Sequence, residues 1–309
     1  MRGRDGRTSG AWLQPSLRVA LPAALAAGAA VLVARLVSLD AAIVIAPVVT
    51  VLAIALVVGR ASTLRKRQMG RIRRRLRQRM DAQAERQARL VLRETARVYA
   101  QLEALAAIRD TLDGRISVPS TRDWAASADL LRELASVIMT RRPAVLVETG
   151  SGTSTVIIAA CLERLGAGHL WSLEHLASYA SATRELLASR GLAHRATVVD
   201  APLVDVPVGD GTWSWYDLEG LPATGPIELL FVDGPPGDTG PLARYPALPA
   251  LLDRLAPGAT IIVDDGSRPD EREMVARWCA EVPGLTQRSL HLQRGGRLLT
   301  LGDPAPTTV

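Results

Sequence analysis

Glycines and carboxylates recur at one kind of place in this 309-residue sequence, immediately after a short apolar run. In the stretch VETGSGTST at 147–155, Gly150 and Gly152 flank Ser151. Such glycines let the backbone turn sharply and let a ligand approach with no Cβ in the way. The third glycine of a dinucleotide fingerprint is absent, because Thr155 stands in its place. Glu174 closes the next apolar run, where a carboxylate can accept both hydroxyl protons of a ribose. Asp200 closes the following run and can accept from an exocyclic amine; a turn aspartate is the alternative. Asp233, in FVDGPPG at 231–237, and the pair Asp264–Asp265, after PGATIIV, close two more.

These residues need a scaffold that brings strand ends together. Leu130, Leu131, Leu134, Val137 and Ile138 recur at helical spacing, so a helix precedes Pro143. The pattern then predicts strands at 144–148, 170–173, 196–199, 227–232 and 260–263. Helices are expected between them at 154–165, 176–190 and 242–255, with a further helix at 272–281. Segments 287–292 and 297–301 flank QRGG, a hairpin turn. Alternating strands and helices imply an α/β fold, a parallel sheet covered on both faces. Ligands of such sheets bind at the carboxyl ends of the strands, near the switch point.

The glycine loop, the acids after the second and third strands and the closing hairpin together resemble the class I S-adenosylmethionine-dependent methyltransferases. The resemblance covers residues 121–302 and implies a Rossmann-like seven-stranded sheet ending in an antiparallel hairpin. It implies that Glu148, Gly150, Ser151 and Gly152 surround the methionine part of the cofactor. Glu174 would hold the ribose, and Asp200 with Ala201 would lie beside the adenine. Asp233 and the Asp264–Asp265 pair resemble those of small-molecule O-methyltransferases, including enzymes acting on sugars. In some relatives such carboxylates hold a divalent cation, and an oxygen-only set suits Mg2+ or a similar hard ion. A structural alternative is that Asp264 and Asp265 bond loop amides ahead of a helix cap at Ser267. Lys66 is the single lysine of the chain, so no lysine base serves this domain. Asp233 or His175 would then take the acceptor proton, although His175 could merely cap the next helix.

Other residues carry weaker signals. Trp213, Trp215, Tyr216 and Asp217 lie in a polar stretch between Pro202 and Pro226, read either as a substrate lid or as an accessory hairpin on the sheet edge. His169, His194 and His291 show no ligand spacing, and Cys161 and Cys279 read as free thiols within apolar helical patterns.

The first third is of another kind. The net charge of +6 is concentrated there. Residues 19–34 are apolar and uncharged, Arg35 and Asp40 bracket a short break, and residues 41–59 are apolar throughout. Spanning a bilayer takes about 20 apolar residues, which the second stretch supplies and the first approaches if Arg35 snorkels. Arg2, Arg4 and Arg7 precede the pair, and ten basic residues from Arg60 to Arg79 follow it. The positive-inside rule places both flanks in the cytoplasm. A single span or a signal peptide is the alternative. Residues 60–113 read as one long helix whose arginine run would attract anionic lipid headgroups, or be a plain solvated face. Val91, Val98, Leu105 and Leu112 follow heptad spacing, fitting a short coiled coil with homodimerisation or a stalk packed on the catalytic domain. Nucleic acid is disfavoured as a partner, since no aromatics interleave the basic residues.

The expected organisation is therefore a basic tail at 1–16, a transmembrane hairpin at 17–59, a basic stalk at 60–113 and a methyltransferase domain at 114–309. The expected protein is an inner-membrane enzyme facing the cytoplasm, methylating an oxygen of a small or lipid-linked acceptor. A scaffold that retains the fold without turnover is the second reading, and a nicotinamide-dependent oxidoreductase the third.

Overall fold

A computed structural model of the chain describes residues 39–302 apart from 115, 120–124, 210 and 224, together with scattered helical positions between 24 and 35. The tail at 1–16 and most of the expected first span lie outside the described residues. The chain divides into two units, Met1–Val91 and Leu92–Val309.

Helix α1 (Leu39–Thr111) runs 73 residues through the positions where the second span and the stalk are expected as separate pieces. Neither Gly59 nor Gly70 interrupts it. Its apolar part has a window of mean hydropathy 2.5 with nothing covering it, so it is long and apolar enough to cross a membrane. Val44, Val51, Leu52, Leu56 and Val58 are all exposed around its circumference, unlike the single apolar stripe of a soluble surface helix. Of the heptad positions, Val91 and Val98 are exposed and Leu112 is buried. At the end of the helix it is Ala104, Ile108 and Leu112 that are buried, and Ile108 and Leu112 join the core of the second unit.

That unit is an α/β sandwich. After α2 (Ala128–Arg141) come β1 (Val145–Thr149), α3 (Thr153–Leu165), β2 (His169–Glu174), α4 (Ala177–Ser189) and β3 (Ala196–Asp200). Strands β4 (Leu203–Val208) and β5 (Gly211–Tyr216) follow, then β6 (Ile227–Val232), β7 (Leu255–Asp264), α5 (Pro269–Glu281), β8 (Thr286–Leu290) and β9 (Gly296–Thr300). Seven strands form one sheet in the order β3-β2-β1-β6-β7-β9-β8. Its first five strands are parallel, and β9 and β8 close it antiparallel. This is the Rossmann-like methyltransferase sheet with its closing hairpin.

Alternation along each strand divides the core in two. Val147, Leu230, Val232, Ile261 and Val263 pack on one face with Trp215 and Trp278. Leu146, Leu229, Phe231 and Ile262 pack on the other, against Leu134, Ile138 and the apolar side of α3. Asp129, at the start of α2, ties the closing hairpin down. Its Oδ2 accepts from Gln293 N–H at 2.7 Å and its Oδ1 accepts from Leu130 N–H at 3.0 Å.

One open alternative is decided and one expectation changes. Within 202–226, β4 and β5 pair as a separate two-stranded antiparallel sheet, and Trp215 and Tyr216 are buried in the core. That is the accessory-hairpin reading. Residues 242–255 form short 3-10 turns at Tyr245–Ala247 and Leu252–Arg254 in place of the expected helix. The leucine spacing there mimics a helix. Pro246 and Pro249 remove amide donors and clash with the preceding turn, and Leu242 is already left-handed at φ 51°.

Candidate active site

Strand order reverses between β1 and β6, so the loops leaving these two parallel strands diverge and open a crevice at their carboxyl ends. A cavity of about 1050 Å³ lies there, large enough for a nucleoside-sized ligand plus an acceptor. Gly150, Ser151, Gly152, Glu174, His175, Asp233 and Asp265 all line it. These are seven of the residues expected to form the site, drawn from the ends of β1, β2, β6 and β7.

The glycine loop is held closely. Gly150 adopts φ +87°, and a Cβ there would sit 3.3 Å from the Asp233 carbonyl oxygen. At the head of α3, Gly152 N–H donates to Thr155 Oγ1 at 2.9 Å, a reach-back cap that fixes the turn. Glu174 is nearly buried, and its Oε2 accepts from Ser151 N–H at 3.0 Å and from Ser151 Oγ at 2.9 Å. Its Oε1 accepts from Leu176 N–H at 2.9 Å. The second-strand acid is thus bonded directly to the glycine loop and oriented by it.

Glu148 stands elsewhere. It is fully buried beneath the loop and does not line the cavity. Its Oε2 accepts from Thr155 Oγ1 at 2.6 Å and from Ser172 Oγ at 2.9 Å, bracing β1, β2 and α3 from below. Burial pushes its pKa up to about 7, against the opposing pull of its hydroxyl partners. The folded chain therefore holds this proton to higher pH than the unfolded chain does. The associated stability is complete below the ordinary glutamate range and is lost as pH rises through about 7. Glu148→Gln is expected to remove that loss, worth on the order of 2–3 kcal/mol by pH 8. Thermal midpoints of the two proteins should differ little at pH 5 and diverge at pH 8, with the variant higher. Parallel pH profiles would contradict the assignment.

The adenine-side residues are also displaced from the cavity. Asp200 does end β3, but its carboxylate is two-thirds exposed and pairs with Arg184 at 2.8 Å. Ala201 is fully buried in the core. Neither lines the cavity.

Among the described residues, Asp233, Asp264 and Asp265 each offer one ligand atom, all within 4.8 Å of one another. The expected convergence is present, but a guanidinium stands in it. Arg244 Nη2 lies 3.3 Å from Asp233 Oδ1 and 3.2 Å from Asp265 Oδ2. Asp265 Oδ2 also pairs with Arg268 at 2.9 Å, and Asp264 Oδ1 accepts from Asp265 N–H at 2.6 Å. Asp264 Oδ2 alone is a buried oxygen with no partner, and Asp264 does not line the cavity. Mg2+ needs near-octahedral oxygens at about 2.0–2.1 Å. With two of the three carboxylates already sharing one guanidinium nitrogen, the residues do not fit a divalent ion.

Burial, then the neighbouring Asp264 carboxylate, hold the Asp233 pKa well above its ordinary value despite Arg244. Burial and Asp265 push Asp264 up to about 6. His175 lies beside the acid cluster's cavity with Nδ1 3.2 Å from Glu174 Oε1, without hydrogen-bond geometry. Its ring meets Tyr216 edge-on at 5.9 Å between centroids. Tyr216 lines the cavity, and its buried hydroxyl has no hydrogen-bond partner.

Arg244 and Thr183 escape the sequence reading. Thr183 Oγ1 lies 3.1 Å from Ser151 Oγ and lines the cavity beside the glycine loop. Nothing in its helix-surface spacing marks it. Arg244 sits in a proline-rich apolar stretch, and that setting is the one available signal, since an arginine there has to find buried partners.

Residues 147–266 match the sequence profile of the family described as "Methyltransferase domain". No curated protein sequence matches the chain. Several solved structures resemble it. The Podospora anserina methyltransferase PaMTH1, bound to S-adenosylhomocysteine, is 16% identical over 64% of this chain and 88% of its own, with TM-score 0.47. The O-methyltransferase TomG of Streptomyces achromogenes, involved in tomaymycin synthesis and bound to S-adenosylmethionine, is 21% identical over 68% and 96%, with TM-score 0.46. An O-methyltransferase of Bacillus cereus, bound to S-adenosylhomocysteine, is 16% identical over 63% and 90%, with TM-score 0.43. Over residues 147–266 the chain is thus similar to methyltransferase domains, and these residues lie on the seven-stranded sheet whose switch point forms the cavity.

Proposed function

We propose that the chain is a membrane-anchored methyltransferase that moves the methyl group of S-adenosylmethionine to an oxygen of a small or lipid-linked acceptor. The observation that carries this reading is the direct bond between the glycine loop and Glu174 on a cavity large enough for both reactants. Gly150, Ser151 and Gly152 would hold the methionine part, Glu174 the ribose hydroxyls, and Glu148 would brace the loop from below. The reaction is an in-line displacement. The acceptor oxygen forms a bond to the methyl carbon as the carbon–sulfur bond breaks, leaving S-adenosylhomocysteine. The hydroxyl proton passes to Asp233 or to His175, the two acceptors placed on the cavity. Holding both reactants in near-attack geometry supplies much of the rate.

The membrane part rests on the exposed apolar portion of α1 and the basic run that follows it. We place residues 17–59 in the inner membrane as a hairpin, with the basic stalk on anionic headgroups and the catalytic domain in the cytoplasm. A homodimer through the stalk is a further part of this reading. Radiolabelled methyl transfer tests it. The full chain should label hydroxyl acceptors in membrane extracts, and removal of residues 1–59 should reduce that labelling while leaving S-adenosylmethionine affinity unchanged. Equal labelling of membrane and soluble acceptors by both proteins would remove the reason for an anchor. Cofactor binding without any transfer would favour a scaffold that keeps the fold.

A further inference from the structure

We infer that Arg244 takes the place of a divalent cation in this site, so that methyl transfer here proceeds without a metal; the second clause rests on the methyltransferase reading, the first does not. Arg244 is 6% exposed, yet it carries a permanent charge, so its partners must account for it. Nη2 bridges Asp233 Oδ1 and Asp265 Oδ2. Nη1 donates to the Asp264 carbonyl oxygen at 3.3 Å and lies 3.7 Å from Glu271 Oε1, and Nε donates to the Pro235 carbonyl oxygen at 3.4 Å. All three nitrogens of the fork are engaged.

The backbone that delivers it is itself pinned. Leu242 N–H donates to Asp270 Oδ2 at 3.1 Å, Tyr245 N–H donates to the Leu242 carbonyl oxygen at 2.8 Å, and the turn Tyr245–Ala247 follows. Trp278 Nε1 donates to the Tyr245 carbonyl oxygen at 2.9 Å from the core. The guanidinium is therefore a fixed part of the wall, and an ion reaching both carboxylates would need the position that Nη2 holds. In this arrangement Arg244 is a positioning residue. It orients the Asp233 and Asp265 carboxylates towards the cavity and supplies the positive charge that a metal would otherwise bring.

Mn2+ titration of the full-length protein tests this without S-adenosylmethionine. Electron paramagnetic resonance should show all added Mn2+ free, and Mg2+, Mn2+ or chelator should move the thermal midpoint by less than about 1 °C. Arg244→Ala should uncover the three carboxylates, bind one Mn2+ and gain several degrees from it, on the order expected for a ligand well above its dissociation constant. Stoichiometric Mn2+ binding by the unaltered protein would overturn the inference. So would a folded Arg244→Ala protein that binds none. If that variant does not fold, the titration of the unaltered protein decides alone. Failure to bind S-adenosylmethionine would count against the proposed function and leave these titrations readable, whereas loss of methyl transfer on chelation would count against the metal-free reaction itself.

Discussion

Glu174→Ala is expected to weaken S-adenosylmethionine binding by about 30- to 1000-fold, the loss of two charge-assisted hydrogen bonds of about 1.5–3 kcal/mol less partial replacement by water. The same change removes the acceptor for Ser151 N–H and Leu176 N–H, so the glycine loop loses its tie to β2 at the same time. Glu174→Gln should fall between, because an amide oxygen can still accept from Ser151 but offers only one acceptor atom. Calorimetric titration of the three proteins checks the order. Thermal midpoints measured without ligand separate lost binding from lost folding. Unchanged affinity in Glu174→Ala would remove this carboxylate from the cofactor site.

Gly234→Ala should have the largest effect on stability among substitutions around the cavity. A Cβ at 234 would collide with Tyr216 Oη and lie 3.2 Å from both Gly150 N and the Thr149 carbonyl oxygen. None of the three can yield easily: Tyr216 is 1% exposed and the other two are backbone of β1 and its loop. Overpacking of this kind costs about 3 kcal/mol, or about 6–12 °C in a domain of this size. The cause can be isolated. Tyr216 Oη has no hydrogen-bond partner, so Tyr216→Phe alone should cost little. The double variant Gly234→Ala/Tyr216→Phe should recover a large share of the lost stability, a coupling expected of two groups in direct contact. Additive effects in thermal melts would contradict the steric account.

The sequence carried the sheet because its strands are short apolar runs ended by a polar residue, and the same ends carry the chemistry. Gly150, Glu174 and Asp233 were legible for that reason, since a parallel sheet brings its carboxyl ends to one edge. Asp200 obeys the same rule in the chain but not in space. Its strand is at the sheet edge, where nothing covers the side chain and Arg184 claims it. Glu148 shows the complementary limit. An acid at a strand end points alternately towards or beneath a loop according to register, and one residue's shift decides whether it faces a ligand or a core.

Arg244 was hidden by its context. Leucine spacing at 242–255 imitates a helix, and on a helix an arginine reads as a solvent-facing charge. Pro246 and Pro249 break that pattern, and the resulting turns send the guanidinium inward to three acids, Asp233, Asp265 and Glu271. The continuity of α1 was equally hard to read, because a membrane-length apolar segment and a basic stalk differ in composition but share one backbone geometry.

The cavity at the strand switch is expected to bind S-adenosylmethionine through the glycine loop and Glu174. Titration calorimetry of the full-length protein in detergent tests it most directly. One cofactor should bind per chain, and the thermal stabilisation it gives should be much smaller in Glu174→Ala at the same ligand concentration, measured against that variant's own ligand-free midpoint. No heat and no thermal shift with either S-adenosylmethionine or S-adenosylhomocysteine would contradict it.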